Sequence, residues 1–181
     1  MILNYHTLSR WAQEMKPELV SAKIVDVFCQ TKDVLHIGLV TPHREPCHIE
    51  ISTESRYAHV VLRRHFQRRP KNSAGLFASA LGQKISDMRL REHDRVIDIE
   101  LSGGDKFIIE AFGSVNVFLI SFDAHILESF HDSKTRAGTA YVQPKRSQSM
   151  HEADFKSFRK EIKTQADFRD RLTAGLFHFN K

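Results

Sequence analysis

Hydrophobic and polar positions follow two different periods along this chain. Leu8, Trp11, Ala12 and Met15 recur at helical spacing, which predicts an amphipathic helix over residues 5–15 with Trp11 as a core anchor. Lys16-Pro17 is expected to end it, because proline disfavours helical geometry in the residue before it. The period then shortens. Residues 22–29, 34–40, 48–52 and 57–62 are rich in β-branched and aromatic side chains and read as strands. Gln30-Thr31-Lys32-Asp33 and the stretch 41–46, with its two prolines, separate them, which is the pattern of an antiparallel meander.

The stretch 72–121 organises the rest. Ala74, Leu76, Phe77, Ala78, Ala80 and Leu81 predict a short helix over 73–81, with Gly82 as its C-terminal cap. A strand, a tight corner at His93-Asp94-Arg95 and further strands follow, carried by Val96, Ile97, Ile99 and Leu101, then by Phe107-Ile108-Ile109, then by residues 115–120. Ser102-Gly103-Gly104-Asp105 reads as a hairpin turn, because glycine enters the positive-φ region that a tight reversal needs. Residues 121–124 predict a second such turn and 125–130 the last strand. From Asp132 to Ser149 the only apolar run is Ala140-Tyr141-Val142, so 133–149 reads as a linker or arm. In 150–181 a helical pattern returns through Ala153, Phe155, Phe158, Phe168, Leu172 and Leu176, as though a helical module begins there. The expected architecture is α+β: antiparallel sheets in a sandwich over residues 1–132, flanking helices, and a C-terminal helical segment.

Charge and candidate chemistry narrow the function. A formal charge of +5 with 11 histidines favours a polyanionic partner, RNA above all. No apolar run approaches the ~18 residues of a membrane span, and the N-terminus lacks the basic and apolar regions of a signal peptide, so a cytoplasmic location is expected. Cys29 and Cys47 read as buried free thiols. The densest basic run, with Arg63, Arg64, Arg68, Arg69 and Lys71, has two readings of equal weight. One is a solvated loop; the other is a phosphate-binding arm in which Phe66 stacks on a base. Nothing in the chain resembles a nucleophile elbow, a zinc-protease helix or a phosphate-cradling glycine loop. His43, Cys47 and His48 lack the four-ligand spacing of a zinc site. No catalysis, metal or cofactor is expected. An arbitrary Asp-Arg pair such as Asp94-Arg95 would cap a turn, with the arginine pairing to the aspartate or to Glu100.

Several short motifs in order change that last reading. Gly82-Gln83-Lys84-Ile85, Asp94-Arg95-Val96-Ile97 and the run 108–117, IIEAFGSVNV, resemble the N-terminal domain of NFACT proteins, the RqcH-type ribosome quality-control factors also called the fibronectin-binding protein A family. Residues 24–30, a strand ending in glutamine, and 51–58, with Ser52, Tyr57 and Ala58, resemble the family's upstream segments. The resemblance covers about residues 3–132. It implies the fold of the N-terminal domains of formamidopyrimidine-type DNA glycosylases. Those enzymes use a proline after the initiator methionine and an adjacent glutamate. Ile2 and Leu3 stand there in this chain, which excludes that chemistry. The resemblance further implies binding to tRNA, in bacteria alanine tRNA, and to the large ribosomal subunit carrying peptidyl-tRNA, in support of untemplated C-terminal tailing. The family's tRNA-contacting pair maps to Asp94 and Arg95. Ala78-Ser79-Ala80 departs from the basic residues the family usually carries there. The alternatives are a fibronectin-binding surface adhesin, or a glycosylase-like DNA-binding domain without glycosylase activity.

Overall fold

A computed structural model describes residues 3–65, 68–69, 71–92 and 94–143. Met1–Tyr141 forms one compact unit. The helical pattern expected over 150–181 lies outside the described residues.

Helix α1 (Tyr5–Leu19) starts where Asn4 accepts the Thr7 N–H at 2.8 Å, which satisfies one of the helix's orphan donors. It buries Leu8, Trp11, Ala12 and Leu19 and runs straight through Pro17, past the expected stop. Proline removes one intrahelical hydrogen bond there. The last turn forms regardless, because Leu19 is fully buried, Val20 N–H reaches the Lys16 carbonyl at 3.0 Å, and Lys16 pairs with Asp87 at 2.6 Å.

Among the described residues, ten strands make two five-stranded antiparallel sheets. The first sheet has the order β4-β3-β2-β1-β5, with β1 (Lys23–Thr31), β2 (Val34–Val40), β3 (Pro46–Ser52), β4 (His59–Arg63) and β5 (Ala74–Gly75). The second has the order β10-β9-β8-β7-β6, with β6 (Ile85–Leu90), β7 (Val96–Leu101), β8 (Lys106–Glu110), β9 (Asn116–Ile120) and β10 (Ile126–Ser129). Leu35, Ile37, Ile49 and Ile51 of the first sheet share one apolar cluster with Ile97, Ile99, Phe107, Ile109, Val117 and Leu119 of the second, together with Leu8 and Trp11 of α1. Side chains alternate between sheet faces. The opposite face of the second sheet therefore carries its own cluster, Val96, Ile108, Phe118, Ile120 and Ile126, on which Phe112 and Tyr141 pack. A short helical turn, α2 (Ser133–Arg136), follows β10. This is the expected α+β architecture of antiparallel sheets.

The expected helix over 73–81 is absent. Ala74–Gly75 pairs instead with Phe28 and Cys29 of β1, and a 3-10 turn spans Ala78–Ala80. Phe77 decides the outcome. Its ring is fully buried edge-on against Phe107 with centroids 5.3 Å apart, and its backbone is left-handed at φ 52. Its N–H donates to Glu128 Oε2 at 2.7 Å. Burial of one aromatic outweighs the weak helical preference of the alanines around it. The 102–105 hairpin forms as expected, closed by Leu101 N–H to the Asp105 carbonyl at 2.8 Å, with Gly104 at φ 91.

Candidate nucleic-acid interface

The β6–β7 corner is a tight reversal. Arg91 N–H donates to the Val96 carbonyl at 2.9 Å and Asp94 N–H to the Arg91 carbonyl at 3.2 Å. Asp94 Oδ1 accepts the Arg95 N–H at 2.7 Å, and Oδ2 has no hydrogen-bond partner among the described residues. Arg95 is pinned at its carbonyl by Ala111 N–H at 2.8 Å. Its guanidinium makes one long contact, Nη1 to the Leu3 carbonyl at 3.3 Å. Both residues are half-buried. The Arg95 guanidinium pairs with neither the Asp94 carboxylate nor Glu100, which faces Arg89 across β6 and β7 at 3.5 Å. His93, the third residue of the predicted corner, lies outside the described residues.

A second arginine of the corner is committed through two of its three guanidinium nitrogens, while Nη1 is buried without a hydrogen-bond partner among the described residues. Arg91 Nε and Nη2 donate to the two carboxylate oxygens of Asp98 at 2.9 and 2.7 Å, and its guanidinium lies over the Tyr141 ring. Burial opposes its charge, yet hydrogen bonding to Asp98 raises the arginine above its ordinary value. Tyr141 donates its hydroxyl to Glu110 Oε1 at 2.9 Å, and burial pushes both the phenol and the Glu110 carboxyl up. The corner thus rests on the Arg91–Asp98 pair, while the Arg95 guanidinium meets no carboxylate among the described residues.

The basic run is arranged otherwise. Arg63 pairs with Glu50 at 3.1 Å, and Arg64 with Glu18 at 3.0 Å and Glu45 at 3.3 Å. Arg68 grips both oxygens of Asp26 at 2.8 Å, donates to Ser73 Oγ and lies over the Phe28 ring. These contacts tie the run to the first sheet, to α1 and to the turn before β3, and neutralise three of its five cations internally. Arg69 and Lys71 are exposed and carry no ion pair among the described residues. Phe66, offered as a stacking platform, lies outside the described residues.

His43, Cys47 and His48 do not come together, because neighbours on a strand face opposite ways. Cys47 enters the core, where burial pushes its thiol up to about 11, and His43 is exposed in the turn before β3. His48 turns to the other face and meets His36 and Glu50, with donor atoms within 4.8 Å of one another. Burial holds His48 down to about 4 and lowers His36 as well. The signal available in sequence was the alternation His48-x-Glu50 beside His36. Reading it requires the β2–β3 register, which sets His36 opposite Glu50.

The profile of the family described as NFACT N-terminal and middle domains matches residues 4–178. No curated protein matches by sequence. Among solved structures, the N-terminal domain of fibronectin-binding protein PavA from Streptococcus pneumoniae superposes with a TM-score of 0.72 at 16% identity, over 94% of this chain and 76% of that one. The fibrinogen binding protein from Staphylococcus aureus gives 0.68 at 16%, over 85% and 60%. The N-terminal part of the fibronectin/fibrinogen-binding protein from Streptococcus suis gives 0.67 at 15%, over 93% and 68%. At such identities the likeness is one of fold.

Proposed function

The chain belongs to the family of NFACT N-terminal and middle domains, and from that membership we propose that it is the tRNA-binding domain of a cytoplasmic ribosome quality-control factor. In this reading it engages tRNA at Asp94 and Arg95, docks on the large ribosomal subunit carrying peptidyl-tRNA, and supports untemplated tailing of the stalled chain. Peptide-bond formation stays with the ribosome, so the domain contributes binding and needs no catalytic group.

One observation carries the proposal. Arg63, Arg64, Arg68, Arg89 and Arg91 each face a carboxylate, whereas Arg95, at the β6–β7 corner, holds only a carbonyl at 3.3 Å. A guanidinium with most of its donors unspent suits a phosphate or a base edge, and Asp94 Oδ2 suits a base amine. Arg69 and Lys71 add sequence-independent attraction; the three paired arginines of the basic run add less, because their charge is already met. The names of the structural neighbours support a second reading, a fibronectin-binding protein; a third, a DNA-binding domain, rests only on what the family resemblance implies.

Competition binding distinguishes the three. Labelled alanine tRNA bound to the chain is predicted to be displaced by unlabelled tRNA at concentrations where duplex DNA with an abasic site, or fibronectin, leaves it bound. Equal displacement by the duplex, or fibronectin binding without tRNA binding, would overturn the proposal.

A further inference from the structure

We propose that His36, His48 and Glu50 form a binding site for a divalent transition-metal ion of the zinc class, on the face of the first sheet turned away from the main core. Strand alternation and register bring the three together: His48 and Glu50 stand two apart on β3, and His36 on β2 lies opposite Glu50. Their donor atoms lie within 4.8 Å of one another. Ligands bound at ~2.0–2.2 Å around zinc stand roughly 3.4 Å apart, so closure asks for side-chain shifts of about 1 Å.

Three features prepare the set. The His36 ring stacks on Phe28 at 5.0 Å and lies 5.4 Å from the His48 ring, which fixes both imidazoles from behind. His36 Nδ1 and His48 Nε2 are shielded from solvent, and a neutral imidazole is the form that ligates a cation. Glu50 is oriented by its outer oxygen: Oε1 takes His59 Nε2 at 2.9 Å and Arg63 at 3.1 Å. Its Oε2 faces His36 Nδ1 at 4.0 Å. A carboxylate held on one oxygen by neighbouring donors and open on the other is the usual supporting arrangement of a metal ligand. Arg63 is half exposed, so its charge is free to turn outward when a cation enters. Two imidazoles and one carboxylate suit zinc and its neighbours rather than calcium or magnesium, which take oxygen ligands. Three protein donors leave a fourth tetrahedral position for water. The ion would clip β2 to β3.

The test is titration of the metal-stripped chain with zinc chloride, followed by calorimetry, by melting temperature and by the imidazole nitrogen resonances. One tight equivalent, a raised melting temperature and shifted resonances of His36 and His48 are predicted. His48→Gln and Glu50→Gln should each weaken binding at least roughly tenfold. The 11 histidines include surface rings that hold zinc weakly. Binding that survives both substitutions, or that leaves the His36 and His48 resonances unmoved in the unsubstituted chain, would overturn the proposal. The resonances decide the matter even where a substitution prevents folding.

Discussion

Replacing Arg91 by methionine removes both hydrogen bonds that hold the Asp98 carboxylate, which is 3% exposed in the middle of β7. Removing one partner of a buried ion pair costs about 3–5 kcal/mol, because the other charge stays behind without compensation. Arg89 Nε lies 3.7 Å from the same carboxylate and takes over part of the role, but Arg89 is 59% exposed and its help is screened. The net cost is then about 2–4 kcal/mol, a large share of the ~5–15 kcal/mol that stabilises a typical domain. With a urea slope of about 2 kcal/mol per molar, the midpoint should fall by about 1–2 M. Arg91→Met combined with Asp98→Leu leaves no unpaired charge and should recover to within about 1 kcal/mol of the parent, since apolar replacement of a buried pair is often neutral. Urea unfolding followed by circular dichroism measures all three proteins. A single variant within about 0.5 kcal/mol of the parent, or a double variant as unstable as the single one, would refute the reasoning.

Legibility in the sequence followed the range of the interaction that decides each feature. Residues 34–40 were readable as a strand at their observed bounds, because the alternation of Leu35, Ile37 and Leu39 is local. Pro17 misled as a helix stop, because the last turn depends on Leu19 entering the core and on Lys16 reaching Asp87 in another element. Residues 73–81 misled for the same reason: the alanines look helical, while Phe77 answers to Phe107 and Glu128. The basic run was evident as charge, but its internal neutralisation was not. Arg64 finds Glu18 from 46 residues away and Arg68 finds Asp26 from 42. Asp94-Arg95 stood out only through resemblance to a family, since no periodicity distinguishes an arginine that pairs with Glu100 from one that reaches the Leu3 carbonyl. The His36–His48–Glu50 group was invisible for want of the register that makes it.

Three further outcomes follow from the geometry. Phe77→Ala should destabilise by about 3–5 kcal/mol in the same urea assay, because it empties a fully buried site against Phe107 and leaves a left-handed residue without its anchor. Burial raises the Glu110 carboxyl in the fold, so its contribution is fully present below the unfolded value and is lost as pH rises through the folded one. Glu110→Gln should accordingly be more stable than the parent at pH 7, with the difference shrinking toward pH 4 in melts across that range. Cys47, with its thiol pushed up to about 11 by burial, should be alkylated by iodoacetamide at pH 8 far more slowly than half-buried Cys29, as read by peptide mass mapping.

The most direct test of the functional account is tRNA affinity of the parent chain and of Asp94→Ala/Arg95→Ala at two salt concentrations. The account predicts that the parent binds, that the double variant loses about 1–3 kcal/mol, and that both keep similar salt slopes, the signature of a specific contact at the corner. A double variant that binds as tightly as the parent, with salt alone setting affinity, would contradict it and reduce Asp94 and Arg95 to parts of a turn.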